Sequence, residues 1–183
     1  LTMILSASPL HIALPYLDVI PDMMDVGIEY IDLDFNMGAV TKKELKKALA
    51  EAEDVHPFVL AKKESFDYAR AEYNSGNFTE YTQALSNSVI ANADGLLDRS
   101  IYPVMEYVLD EEDSILPISR EVISRMVILG YAWQITGEKK YADRAWEELE
   151  NVCSYDDWCT SHFLATAEMA LAVSIGYDWF YDY

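Results

Sequence analysis

The feature that most restricts the fold is the order of helical patterns over residues 119–178. A helix beginning at Ser119 and running to about Thr136 is apolar on nearly every side from Met126 to Trp133, Gly130 apart. Gly137 is placed to end it, because glycine takes the left-handed conformation that closes helices. Glu138 to Cys153 reads as a second helix with one apolar stripe: Tyr141, Ala142, Ala145, Trp146, Leu149 and Val152. Its other face carries Lys139, Arg144, Glu147, Glu148 and Glu150. After a loop over 154–160, Ser161 is expected to cap a third helix to about Asp178, again apolar nearly all round. A helix apolar on every side must be covered on both sides, and a one-striped helix lies outside it. Short connections make sequence neighbours antiparallel. The expectation is an all-α fold of antiparallel helical hairpins in two layers, forming a partial (α/α) toroid or a helical-repeat solenoid.

Upstream the pattern is less regular. Thr41 with Glu44 makes a capping box for a helix over 42–53, rich in Ala, Leu, Lys and Glu. Val55-His56-Pro57-Phe58 is an extended break, since the residue before proline avoids helix. Glu64 to Asn74 predicts a helix with Phe66, Ala69 and Tyr73 on one face, and Asn74-Ser75-Gly76-Asn77 a turn. A long helix is expected from Phe78 to Asp98, with Phe78, Tyr81, Leu85, Val89, Asn92 and Leu96 inward. Ile101 to Leu109 reads as a short apolar helix, followed by an acidic loop from Asp110 to Asp113. Residues 1–40 form a separate extension with six acidic residues and no Lys or Arg; Ile31 to Phe35 alternates as a short strand or an extended arm would. The helical domain is expected over 41–183.

At 183 residues and 51% hydrophobic content the chain can bury a core. Its formal net charge of −19 repels nucleic acids and anionic membranes, and no run of about 20 apolar residues is present to cross one. Cys153 and Cys159 are too few for a disulfide framework, though close enough that a bridge between them stays open. The chain begins at Leu1, with Pro9 and Pro15 interrupting the early apolar patches, and no intact signal peptide is read.

Several stretches carry a family resemblance: His56-Pro57-Phe58-Val59-Leu60 with Ser65-Phe66; Ser119-Arg120-Glu121-Val122; Tyr131 to Ala142 with its Thr136-Gly137-Glu138-Lys139-Lys140 turn; Ser161-His162-Phe163-Leu164; Ala167 to Ala170; and Gly176-Tyr177-Asp178-Trp179. In this order and spacing, residues 55–183 resemble the amino-terminal toroid of the heparinase II/III-like polysaccharide lyases. The resemblance implies an acidic polysaccharide bound across the open end of an incomplete toroid, β-elimination chemistry, and a periplasmic or extracellular setting. That chemistry needs carboxylate neutralisation, a base for the ring proton and an acid for the leaving oxygen. In the family an Asn-His pair, with Tyr, fills these roles further along the chain. No Asn-His dipeptide occurs here. The expectation is a carbohydrate-binding portion of a lyase without a complete catalytic set, open to self-association at the toroid's unfinished end; the alternative is a helical-repeat module that binds another protein.

No catalytic residue, metal site or cofactor is assigned from the sequence. The substrate-binding candidates are His162, in the first turn of a helix where the dipole suits an anionic contact; Trp158, a loop tryptophan able to stack on sugar; and Arg125, which either ion-pairs inside the bundle or faces the groove. His56 is read as ordering its proline break, and His11 is given no role. Trp133 and Trp146 fall on core stripes, while Trp179 serves the core or a following helix. Asp156-Asp157 is an acidic loop without EF-hand spacing.

Overall fold

The computed structural model describes residues 55–183 throughout. Before them it describes two strands and four helical positions: Lys43, Lys46, Lys47 and Ala50. β1 (Tyr30–Asp32) pairs antiparallel with β2 (Ala39–Thr41), with Tyr30 opposite Thr41 and Asp32 opposite Ala39. The alternation at Ile31 thus does reach a strand, and Thr41 ends one. The rest of the extension, His11 included, lies outside the described residues, as does most of the helix expected over 42–53.

Five helices follow: α1 (Lys63–Ser75), α2 (Glu80–Leu96), α3 (Leu116–Thr136), α4 (Lys139–Cys153) and α5 (Phe163–Trp179). The body is all-α, held by helix packing. α3 is its centre and packs against each of the other four, most extensively against α5. Val122, Met126, Leu129 and Ala132 of α3, with Ala165, Met169, Ala172 and Ile175 of α5, are wholly buried. Gly130 makes room for α5: a Cβ added there would stand 2.6 Å from the Trp179 ring. Gly76 and Gly137 close α1 and α3 in the left-handed conformation, as the sequence predicts.

Four expectations are corrected. α3 starts at Leu116, not Ser119, because Pro117 fits a first turn at no hydrogen-bond cost. Ser119 is buried inside the helix, and its hydroxyl lies within hydrogen-bonding reach of the carbonyls of Ile115 and, on α5, Ala165. α5 starts at Phe163 with His162, not Ser161, at its cap. α2 buries Ser86, Ala93 and Leu96, while Tyr81 and Leu85 face solvent. Small residues let α2 approach α3 closely, and Ser86 hydrogen-bonds the Tyr131 hydroxyl at 2.7 Å. Residues 103–110 form no helix; they run as an irregular strap along α4.

Candidate functional site

Three arrangements on and around α4 and α5 hold the polar and aromatic chemistry. The first lies under the strap. An irregular segment leaves its carbonyls and N–H groups without helical partners, and buried ones must be satisfied by side chains. Arg144 and Glu148, read as a solvated face, are instead fully buried there. Arg144 donates from Nε to the Leu96 carbonyl at 3.0 Å, and from Nη2 to the Tyr102 carbonyl at 2.9 Å and to Glu148 at 2.6 Å. Arg125 donates to the Pro103 carbonyl at 2.6 Å, to Glu121 at 2.9 Å and to Glu148. Glu148 accepts in turn from the Met105 N–H at 3.2 Å, while Asn151 and Tyr155 both donate to the Met105 carbonyl. Burial works against the Arg125 charge, but the Glu121 and Glu148 carboxylates outweigh it, so the guanidinium pKa lies above its usual value. Two guanidiniums and two carboxylates balance, and the cluster is a pin for the strap.

The second arrangement joins the first and last parts of the described chain. Asp178, near the C-terminus of α5, is 2% exposed. A carboxylate there opposes the helix dipole and needs donors. It receives them from the Phe58 N–H at 2.8 Å, the Val59 N–H at 2.7 Å and His56 Nδ1 at 2.6 Å. The Trp179 indole adds a bond to the Val59 carbonyl at 2.7 Å. The imidazole stacks on Tyr181, centroids 3.8 Å apart, and meets the edge of Tyr177 at 6.0 Å.

Those two tyrosines also line the third arrangement, a groove of about 360 Å³ between α4 and α5. Trp146, Phe180 and Tyr183 complete its aromatic walls, with Leu149 and Val173 deeper in. Trp146 belongs to the stripe predicted for α4 but is 54% exposed, a correction, because it lines the open groove between α4 and α5 instead of packing into the core. The expectation that α5 is covered on both sides fails at two places: Phe163, its first residue, is 74% exposed, and Tyr177, beside the groove, is 64% exposed. Tyr183 donates its hydroxyl to Asp143, and the Lys139 ammonium lies 5.0 Å from the Tyr183 ring centroid. That hydrogen bond, followed by partial burial, raises the Tyr183 pKa, and it lowers that of Asp143.

None of the three candidates read from the sequence lines this groove. Arg125 takes the inward of its two readings, 5% exposed within the cluster. Trp158 is half-buried against the core and donates its indole N–H to the Val152 carbonyl at 2.8 Å, so its ring is packing rather than a free platform. His162 sits at the start of α5 as expected, with Nδ1 buried and without a hydrogen-bond partner among the described residues. Both cysteines are free thiols. Among the described residues no group of His, Cys, Asp and Glu is arranged to hold a metal ion, and no helix is long and apolar enough to cross a membrane. Asp178, Tyr177, Tyr181 and Tyr183 were passed over as site residues. The available signal was the resemblance itself, whose His56–Leu60 and Gly176–Trp179 stretches are the two that meet here.

No protein-family model matches the chain, and no curated protein matches it either.

Proposed function

We propose that this chain is a carbohydrate-binding wedge of a polysaccharide-lyase-like (α/α) toroid, working in the periplasm or outside the cell, without a complete β-elimination set of its own. One observation carries the reading. Two stretches of the lyase resemblance, His56–Leu60 and Gly176–Trp179, lie 120 residues apart, yet they close on each other through Asp178, directly beside an aromatic groove. Aromatic walls with a few polar groups at the rim are how proteins hold sugar rings. His56 is held by Asp178 beside that groove with Tyr177 and Tyr181 against its ring, but the Asn-His pair that the family's elimination chemistry uses does not occur in the sequence. The layering supports the toroid: α3 and α5 pack as inner neighbours, with α4 outside them.

The experiment is incubation of the chain with alginate, heparin and chondroitin, following the unsaturated product by ultraviolet absorbance, alongside calorimetry with neutral and charged oligosaccharides. The expected result is sugar binding without turnover. Robust turnover refutes the incomplete site, and absence of binding to every sugar refutes the carbohydrate reading.

A further inference from the structure

Resting on the carbohydrate reading above, we propose that the α4–α5 groove selects a cationic amino sugar, an oligomer of glucosamine with free amino groups, over a uronate chain. The walls supply one half of the argument. Trp146, Tyr177, Tyr181 and Tyr183 are exposed along the groove, Tyr181 with one face stacked on His56 and Tyr183 with Lys139 over its ring, and pyranose rings carry flat C–H surfaces that stack on aromatic faces. A volume of about 360 Å³ suits roughly one or two sugar rings.

The rim supplies the other half. Asp143 accepts from the hydroxyl of the lining residue Tyr183, and the exposed Glu150 and Asp182 follow the lining residues Leu149 and Tyr181 in the sequence. The ammonium that stands among them, Lys139, is already bound to Asp143 at 3.3 Å. A uronate would bring its carboxylate to this rim with no unengaged cation among the described residues beside it to receive it. The Lys139 contact shows what the rim does accept: a primary ammonium over the Tyr183 face, beside a carboxylate. A cation over an aromatic ring is attracted by the ring quadrupole, and the neighbouring carboxylate adds to it. The amino group of glucosamine repeats that contact while its ring stacks on the wall. The chain's charge of −19 further favours encounter with a polycation over a polyanion.

The test is calorimetry of the full chain with a glucosamine tetramer, its N-acetylated counterpart, a galacturonate tetramer and spermine, at low and raised salt. The glucosamine tetramer is expected to bind about tenfold tighter than the acetylated one, a difference one or two ammonium contacts supply. Galacturonate should not bind, and salt should weaken the glucosamine complex. Trp146→Ala should lower that affinity about tenfold with helicity by circular dichroism unchanged, and Glu150→Gln should weaken glucosamine binding without affecting the acetylated tetramer. Acetylated or galacturonate oligomers binding as tightly as glucosamine would overturn the inference and leave the carbohydrate reading standing. No sugar binding at all would overturn both. Spermine binding as tightly as the tetramer, or affinity unmoved by Trp146→Ala, would reduce the effect to bulk charge and overturn the groove assignment.

Discussion

The two long edges of α4 meet opposite fates. Along one edge Arg144 and Glu148 are buried completely, because the strap over them presents backbone groups that only charged side chains can reach. Along the other, Trp146 stands more than half exposed beside Tyr177 and Tyr181, with none of the described residues laid over it. Hydrophobicity alone would reverse this arrangement. What decides it is the neighbour: irregular backbone draws charge inward, and an open groove between two helices leaves aromatic rings at the surface.

The sharpest way to break the comparison is on the charged edge. Glu148→Ala leaves two guanidiniums buried without their shared carboxylate and should cost about 3–5 kcal/mol in urea unfolding. A loss below about 1 kcal/mol would mean that water reaches the cluster, and the contrast would fall. Next comes Asp178→Ala, which removes three donors' common acceptor. It should cost about 2 kcal/mol and speed amide exchange at Phe58 and Val59, leaving the α3 amides protected if the clasp is local. Gly130→Ala drives a methyl into the Trp179 ring and should destabilise by about 1–3 kcal/mol. Gly176→Ala meets the flexible end of Leu149 and should cost less. On the open edge, Trp146→Ala should change stability by no more than about 0.5 kcal/mol, as for a surface residue.

The smallest effect is in pH. Asp94, Asp143 and Glu147 have pKa values below the ordinary carboxylate range, chiefly through hydrogen bonds from Lys140, Tyr183 and Arg99 respectively. The unfolded chain therefore binds more protons as pH falls. The stability these groups add is present above the ordinary carboxylate pKa and lost on acidification through the depressed values. All three are largely exposed, so the change should be shallow and should shrink further in salt. A midpoint that rises on acidification from neutral would contradict the assignment.

Much of the helix layout could be read directly. Gly76 and Gly137 marked where α1 and α3 end, and the Tyr141–Val152 stripe located most of the buried face of α4. What escaped reading has a common cause, partners distant in sequence. Arg144 and Glu148 are spaced as a solvated i,i+4 pair would be, and only the strap some 40 residues away makes them interior. Ile101 to Leu109 is apolar enough for a helix, but its backbone bonds are taken by side chains of α3 and α4. On α2 the packing face is set by small Ser86 and Ala93, which no hydrophobic stripe reports. Of the candidate site, the family stretches pointed to His56 and Asp178 without revealing that they touch, while the groove depends on three terminal aromatics for which the sequence offered no periodicity.

Every hairpin leans on one rod. α1, α2, α4 and α5 each rest on α3, whereas stacked repeat units would each lean only on the next. Damage to that rod cannot be confined to one end of the molecule. Heat should therefore melt the helical body in a single sharp step, with calorimetric and van't Hoff enthalpies equal, where a modular array would come apart piece by piece.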